Sequence, residues 1–568
     1  MTDEKDPPKD EASKDEAAEK SEKAETVSKA EAKSAPSDAE VSSKDDEKKP
    51  EEKKEKKADE KKAEDKKEEK KAEKKKPTKK DPADAFRIPA SHPVANAWKT
   101  FLGAGVLGIV GSGYGYTQDH TRFAYAWLFG FICALTLAIG SIMFVMMHHL
   151  ANGNWGIVVR RVAEIFGASS WVLIILVIPV LLMRGTLFGE WLNKGDAAHA
   201  GKEHAALEQS VDPYDYELAS NDLQFQPRGM PGGPGGHGGM QPRNPHGPGG
   251  PGGFPQNPHG GHPPSAGSGT PIHMQVGRGP EERAEHVEHQ EVMQSKSWYL
   301  NQTFFFARLI AYFIIWYLVG FTLLKWSTDQ DKTKDLALTV KLARFSAPGI
   351  VLMTLTLTFA AFDWIMSLDP TWYSTIFGVT FFSGSMVCAF ATLIITFLGF
   401  RQNGLLAKEV TVEHYHDLGK LLFGFMCFWA YVCFSQFMLI WYASIPEEVT
   451  FYHHRWDGNL WRNVSLALIG LHFMFPFVFI MSRNIKRNLG LLRIGATLLL
   501  TMHVIDIYWL IMPNMPHQAT FSVSVFDVFG FLGPVGIFLA VAFRRMNEYP
   551  ILPVGDPRLQ RSIHFVNA

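Results

Sequence analysis

The sequence predicts an all-α membrane protein with ten transmembrane helices. Two observations support this prediction: ten stretches are apolar and long enough to cross a bilayer, and basic residues recur in alternate connections between them. Because about 20 helical residues span the roughly 30 Å of hydrocarbon in a bilayer, we interpret each stretch as one helix. Helices 1 to 10 are predicted at residues 98–116, 123–148, 168–190, 303–325, 346–368, 374–400, 418–442, 461–482, 489–512 and 522–544.

The first 90 residues differ sharply from the rest of the 568-residue chain. Lys, Glu, Ala and Asp dominate them, whereas the chain is apolar and aromatic from residue 98 onward. The net charge of −1 and the mean hydropathy of −0.06 therefore average two unlike segments. Because the tail lacks apolar side chains to offset chain entropy, residues 1–90 are predicted to form a disordered cytoplasmic tail.

The alternation of basic connections predicts the orientation of the helices. Lys and Arg precede helix 1, follow helix 10, and recur between helices 2 and 3, 4 and 5, 6 and 7, and 8 and 9. Connections rich in Lys and Arg stay in the cytoplasm. Both termini are therefore predicted to be cytoplasmic. The alternation also checks the helix count, because a missed helix would break it.

This count divides the chain into five segments. The tail at 1–90 is followed by helices 1–3 at 91–190, a periplasmic loop at 191–298, helices 4–10 at 299–545, and a cytoplasmic C-terminal tail at 546–568. The loop is rich in Gly, Pro and His and has no collagen period, so it is predicted to be disordered.

Two aspartates indicate an internal repeat. Helices 5 and 9 each carry an Asp seven residues before a proline: Asp363 before Pro370, and Asp506 before Pro513. Four helices return the chain to the same side of the membrane. Helices 2–5 and 6–9 are therefore predicted to be parallel rather than inverted repeats.

Ionisable residues inside the predicted helices are the candidate functional groups, because charge is costly in hydrocarbon. The predicted orientation puts Arg308, Asp363, Asp506 and Asp527 in the outer half of the membrane. Arg308 and Asp363 lie at similar depth on consecutive helices, so they are predicted to pair. Such a pair either locks two helices together or takes part in proton conduction or quinone binding, and the sequence leaves these roles open.

Histidines extend this set toward the middle of the membrane. His472 and His503 are predicted near the centres of helices 8 and 9. His503 and Asp506 share a helix face because they are three residues apart, so they could relay a proton. Alternatively, His503 only donates to a carbonyl of a neighbouring helix.

The cytoplasmic ends of helices 2 and 3 supply the last candidates. His148 and His149 end helix 2, and Glu164 lies in an amphipathic interfacial segment before helix 3. These residues form either the cytoplasmic mouth of a proton path or an ordinary membrane interface.

The cysteines argue against redox groups bound by the chain itself. Cys133, Cys388, Cys427 and Cys433 all fall inside apolar stretches. Without a C-x-x-C-H motif no covalently bound haem is expected, and without C-x-x-C no iron–sulfur cluster is expected. No H-E-x-x-H zinc motif is present either, so no metal site is predicted.

Four stretches resemble a known family of membrane proteins. They are "RFAYAWLFGF", "MMHHLANGNWGIVVRRVAE", "FDWIMSLDPTWYSTIFG" and "YPILPVGDPRLQRSIHF". In these stretches the chain is similar to the ActF-like subunits of bacterial alternative complex III, which belong to the NrfD/PsrC-like membrane proteins. The resemblance covers residues 90–568 apart from the long loop.

This resemblance implies two four-helix bundles, helices 2–5 and 6–9, with helices 1 and 10 flanking them in a bacterial inner membrane. It implies a subunit of a quinol:cytochrome c (or oxidase) oxidoreductase in respiratory electron transfer. Our hypothesis for this chain within such a complex is a structural and proton-conducting role. The implied partners are a multihaem cytochrome, an iron–sulfur subunit, the ActC-like paralogue and a monohaem cytochrome. Haems and iron–sulfur clusters then belong to those partners.

Three alternatives remain open from the sequence. The chain could be a quinone-binding catalytic subunit in its own right, a purely structural scaffold, or a solute transporter. Quinone is thus a candidate ligand without assigned ligand residues. Apart from these subunits, the expected partner is the lipid bilayer, and nothing indicates a nucleic acid.

Overall fold

The computed structural model describes residues 85–192, 291–456, 459–516 and 522–567. Most of the predicted tail (1–90) and most of the predicted loop (191–298) lie outside these residues. The described residues are all-helical and contain no strand. The all-α prediction is therefore confirmed for this part of the chain.

Ten helices in the described residues are long and apolar enough to span a membrane. Their number matches the ten helices that the sequence predicts. We label them α1 to α10, and they comprise Pro93–Gln118, His120–Ala151, Ile157–Leu182, Gln302–Thr333, Leu336–Leu368, Phe377–Gln402, Val412–Ala443, Leu460–Met481, Leu489–Asn514 and Val525–Met546.

One predicted boundary is wrong. The sequence predicts helix 3 at 168–190 after an interfacial segment, whereas α3 spans Ile157–Leu182. Arg160, Arg161 and Glu164 lie inside this helix and are buried. A search for apolar stretches with few charges misses the first part of α3. The helix nevertheless accommodates these charged side chains there, because they form buried ion pairs.

Two central helices, α2 and α6, organise the packing. The α2 sequence is apolar around its whole circumference, and every position in its most apolar window is buried. α2 packs against α3, α5, α6 and α10, whereas α6 packs against α2, α5, α7 and α9. α1 lies along α10.

Glycines allow these helices to approach closely. A Cβ atom built on Gly140 of α2 lies 2.2 Å from the carbonyl oxygen of Ser385 on α6, a distance that no side chain tolerates. A Cβ atom on Gly108 of α1 lies 2.2 Å from the amide nitrogen of Gly533 on α10. The glycine-rich composition of α1 therefore serves its packing against α10.

The C-terminal residues cross one end of the helices. Ser562 Oγ donates to the carbonyl of Trp155, between α2 and α3, at 2.9 Å. The carbonyl of Ser562 accepts from Nε2 of His414, near the start of α7, also at 2.9 Å. We call residues 549–567 the C-terminal strap and this end of the helices the terminal face.

The other end of the helices is the opposite face. Near it, the Tyr125 hydroxyl at the start of α2 donates to the carbonyl of Asn514 at the end of α9, at 2.9 Å. Trp191, after α3, donates to the carbonyl of Ser367 near the end of α5, at 3.1 Å. Successive helices thus run in opposite directions between the two faces, as consecutive membrane spans require.

Candidate functional site

Arg308 and Asp363 form a buried ion pair near the opposite face. Arg308 on α4 donates to both carboxylate oxygens of Asp363 on α5, with Nε–Oδ2 at 2.9 Å and Nη2–Oδ1 at 2.7 Å. The Tyr312 hydroxyl, one turn further along α4, donates to Oδ2 at 2.7 Å. This is the pair that the sequence predicts, and its two-pronged geometry is the strong form of an arginine–carboxylate contact.

The surroundings close this ion pair on every side. The third guanidinium nitrogen of Arg308 donates to the carbonyl of Tyr299 at 3.0 Å. The guanidinium also stacks on the rings of Tyr299 and Phe304, at 3.9 and 4.3 Å. Asp363 itself is fully buried. Because three donors hold its carboxylate oxygens, Asp363 has the geometry of a fixed brace between α4 and α5.

A second ion pair joins α2 to α10. Arg122 donates to Asp527 through Nε at 2.9 Å and through Nη2 at 2.6 Å. Asp527 Oδ2 also accepts from the Tyr508 hydroxyl and from the Ser524 amide, each at 2.9 Å. The sequence identified Asp527 but missed Arg122. The sequence did contain a signal for Arg122, because this basic residue immediately precedes predicted helix 2 (123–148).

Asp506 on α9 has a different environment. It is 5% exposed, and its Oδ2 accepts a hydrogen bond from Nε1 of Trp429 on α7 at 3.1 Å. Among the buried carboxylates that the structure describes, Asp506 is the one without an ion pair. Burial without a cation favours the neutral, protonated form of a carboxyl group.

His472 on α8 packs directly against the same tryptophan. The ring centroids of His472 and Trp429 are 3.9 Å apart, and His472 is fully buried. His472 belongs to a π-helical segment, Leu468–Met474, that precedes Pro476. Segments of this kind occur frequently at functional sites. Neither ring nitrogen of His472 has a hydrogen-bond partner among the described residues, so both are available to a polar ligand such as water.

His503, one turn before Asp506 on α9, completes this group. Its Nε2 lies 3.1 Å from Oγ1 of Thr136 on α2. Its Nδ1 faces Gly384 of α6, where a Cβ atom would lie only 3.3 Å away. We call the following five residues the central cluster: Thr136, Trp429, His472, His503 and Asp506.

The structure separates acids that the sequence grouped together. The predicted outer cluster contained Asp363, Asp506, Asp527 and Arg308. Each acid instead has its own partner: Arg308 for Asp363, Arg122 for Asp527 and Trp429 for Asp506. The three acids lie on different helices, α5, α10 and α9, and their partners also come from different helices, α4, α2 and α7.

A second polar group lies beneath the terminal face. Glu164 on α3 accepts from Nε of Arg160 at 2.7 Å and from Nε of Arg161 at 3.0 Å. Arg161 also donates to Asp331 at the end of α4, at 2.7 Å. With the strap, three arginines and three acids form this network within the described residues: Arg160, Arg161, Arg558, Glu164, Asp331 and Asp556.

His148 and His149 end α2 beside this network, where the sequence predicts the mouth of a proton path. They are 5% and 3% exposed, and Glu164 is 2% exposed. The His148 ring packs on Gly156, just before α3. Neither ring nitrogen of His149 has a hydrogen-bond partner among the described residues. All three residues therefore lie inside the protein, near the strap, rather than open at its surface.

Asp556 anchors the C-terminal strap to the network. It accepts from Nε and Nη2 of Arg558 at 3.1 and 3.0 Å, and from Nη1 of Arg160 at 3.0 Å. Burial acts to raise the pKa of Asp556. The hydrogen bonds from Arg558 and the charge of Arg160 outweigh it and hold the pKa below its usual value. The anchor is therefore an ionised carboxylate at neutral pH.

We expect Asp556→Asn to loosen the strap. Arg558 then loses both carboxylate contacts, and buried Arg160 keeps only Glu164 as an acidic partner. Because removing one partner of a buried ion pair is strongly destabilising, amide hydrogen exchange across 549–567 should accelerate by about tenfold or more. Hydrogen-exchange mass spectrometry measures this directly.

Arg561→Gln is the matched control, because Arg561 is exposed on the same segment, and exchange there should stay unchanged. The pKa shift also predicts a pH dependence. The folded-state pKa of Asp556 lies below the unfolded value of 3.8, so the anchor contributes fully above that value and is lost as the pH falls below it. Protection of the strap, corrected for intrinsic exchange, should match at about pH 5 and about pH 7. A strap released at the lower pH would contradict the assignment.

Metal-binding groups are not found in the part of the chain that the structure describes. No group of three or more His, Cys, Asp or Glu side chains there is placed to hold a metal ion. Cys133, Cys388, Cys427 and Cys433 are free thiols.

Comparison with known proteins adds no family assignment. A scan against protein-family models finds no match. A search of curated proteins finds no similar sequence either.

Proposed function

We propose that this chain is an ActF-like membrane subunit of an alternative complex III, which is a quinol:cytochrome c (or oxidase) oxidoreductase. Its proposed role is to brace the complex and to conduct protons while quinol is oxidised in a neighbouring subunit. The four similar sequence stretches and the ten spans support this proposal.

The proposed membrane is a bacterial inner membrane, with the terminal face toward the cytoplasm. Two observations support this orientation. Basic connections follow α2, α4, α6 and α8, which end on one side. The amide of Ile551 donates to the carbonyl of Phe86 at 2.9 Å, so residues from both ends of the described chain meet at the terminal face.

We also propose that α2–α5 and α6–α9 are two four-helix bundles flanked by α1 and α10. α3 and α5 each contact both α2 and α4, and α7 and α9 each contact both α6 and α8. This repetition of neighbours supports the repeat. The packing of α1 on α10, beside α2, supports their flanking position.

The central cluster carries the proton-conducting part of the proposal. Its key observation is that Asp506 is buried without an ion pair and accepts a hydrogen bond from Trp429, on which His472 packs. Such a carboxyl group can release and rebind a proton without breaking a salt bridge. Asp363 and Asp527 differ from it, because each forms an ion pair with an arginine that protonation would break.

On this proposal, protons from the cytoplasm pass His148 and His149 before they reach the central cluster, and Glu164, held by two arginines, lines this entry. These three residues are buried close to the strap. The strap then covers the entry, and loosening it at Asp556 should alter access to His148 and His149.

The redox groups are proposed to belong to partner subunits: the multihaem cytochrome, the iron–sulfur subunit, the ActC-like paralogue and the monohaem cytochrome. The lack of a haem-attachment motif in this chain supports that division. Quinol oxidation is assigned to the ActC-like paralogue. Quinone is a candidate ligand of this chain through the family resemblance alone.

Purification tests the assignment to a respiratory complex. The chain, tagged at its N-terminus, is extracted in mild detergent from the cells that make it naturally. We expect haem-containing partners to co-purify, and the preparation to reduce cytochrome c with quinol. A tagged membrane protein of another complex is the control. Recovery of the chain alone, without haem absorbance or quinol oxidation, would contradict the proposal.

A further inference from the structure

We propose that Thr136 is a positioning residue that fixes the tautomer of His503, leaving Nδ1 of His503 as the proton acceptor of the central cluster. This inference deepens the proposed proton conduction and rests on it. Thr136 lies on α2 and His503 on α9, so a residue in the first half of the chain would fix the tautomer of a histidine in the second half.

The first step concerns the single hydroxyl proton of Thr136. Its Oγ1 lies 2.9 Å from the carbonyl oxygen of Cys133, one turn earlier in α2. A helical threonine commonly donates to a carbonyl of the preceding turn. The proton of Thr136 is therefore directed at Cys133, and the lone pairs of its oxygen remain available as acceptors.

The second step assigns the protons of His503. With the hydroxyl proton of Thr136 engaged in this way, we assign the 3.1 Å contact to Nε2–H of His503 donating to Oγ1. A neutral imidazole carries one proton, so Nδ1 holds a free lone pair. A hydrogen bond at one ring nitrogen fixes the tautomer in this way in many histidine sites.

The third step concerns the surroundings of Nδ1. It is buried and has no hydrogen-bond partner among the described residues. Gly384 leaves open the position next to it, since a Cβ atom there would lie 3.2 Å from Cε1 and 3.3 Å from Nδ1. A Cβ atom on Gly384 would also lie 3.8 Å from Cδ1 of Trp429, whose indole N–H donates to Asp506. The free lone pair thus lies in the region around Trp429 that also contains the carboxyl group of Asp506.

The fourth step excludes Trp429 as a relay. Its Nε1–H can only donate, so it cannot accept a proton from Asp506 or pass one to His472. The hydrogen bond from Trp429 instead occupies Oδ2 of Asp506, which leaves Oδ1 to carry the exchangeable proton. The proposed transfer then runs between Oδ1 of Asp506 and Nδ1 of His503.

Nitrogen NMR of the purified complex with 15N-labelled histidine in this chain tests the tautomer. His503→Gln identifies the His503 signals among those of the 21 histidines. We expect the Nε2–H tautomer in the wild type and in Thr136→Ser, which keeps the hydroxyl. Thr136→Val has a similar shape without the hydroxyl, and the Nε2–H tautomer should no longer dominate. An Nδ1–H tautomer in the wild type, or an unchanged tautomer in Thr136→Val, would overturn the inference.

Proton uptake by the complex in proteoliposomes, measured during quinol oxidation, tests the functional consequence. Thr136→Val should lower uptake by about tenfold or more, and Thr136→Ser should retain most of it. Gly384→Ala should also lower uptake while it preserves the tautomer, because its Cβ fills the position beside Nδ1. If Asp506→Asn also leaves uptake unchanged, the proposed proton path fails. If Asp506→Asn stops uptake and Thr136→Val does not, only the role of Thr136 is wrong.

Discussion

Replacing Asp506 with Asn is expected to stop proton uptake through this chain with little effect on its fold. Asn has the shape of the neutral acid and still offers Trp429 an oxygen acceptor at the position of Oδ2. It cannot release a proton, however. Since a positioned acid or base contributes a factor of about 100 or more to a proton-transfer step, uptake should fall by roughly that factor.

The stability of the variant separates this effect from misfolding. Because Asp506 has no ion pair, the free energy of unfolding should change by about 1 kcal/mol or less. Asp329→Asn is the matched control, because Asp329 is a partly exposed acid near the terminal end of α4, away from the central cluster. Uptake and thermal stability are measured on the same reconstituted complexes. Normal uptake by Asp506→Asn would leave the central cluster with a structural role only.

The number of spans could be predicted because lipid imposes a simple rule on composition. Each span needs a long apolar stretch, and the basic connections report the side on which each span ends. The rule fails where charges pair inside a helix. In the first turns of α3, Arg160 and Arg161 pair with Glu164 and with two acids outside the helix, so a window that excludes charge starts the helix at 168 instead of Ile157.

The Arg308–Asp363 pair could be predicted because its residues lie on consecutive helices, which pack together as a hairpin. The other contacts depend on packing between helices that are distant in sequence. Arg122 and Asp527 are 405 residues apart, and Thr136 and His503 are 367 apart. No local pattern reports that α2 lies against both α9 and α10.

The difference between Asp363 and Asp506 also required the structure. In the sequence both are aspartates seven residues before a proline, on the fourth helix of a repeat. The structure gives Asp363 an arginine and a tyrosine, and gives Asp506 an indole N–H. The two aspartates therefore hold similar positions before a proline but have different partners: an arginine on α4 for Asp363 and a tryptophan on α7 for Asp506.

Breaking the Arg308–Asp363 pair is expected to destabilise the protein strongly. Asp363→Asn leaves the guanidinium of Arg308 buried without a counter-charge, since its remaining contacts are the Tyr299 carbonyl and two aromatic rings. Loss of one partner from a buried ion pair costs about 3–5 kcal/mol. Thermal unfolding of the purified chain in detergent should show this loss, and Arg308→Met should show a similar one.

Replacing the whole group distinguishes a brace from a proton carrier. Arg308→Met combined with Asp363→Leu removes both charges, and Tyr312→Phe removes the hydroxyl that would otherwise lose its acceptor. Because apolar side chains of similar volume replace a buried ion pair at little cost, the triple variant should recover most of the lost stability. A brace also predicts normal proton uptake in this variant. If the triple variant recovers stability but loses proton uptake, Asp363 takes part in proton transfer. The ion pair with Arg308 would then break and re-form during turnover.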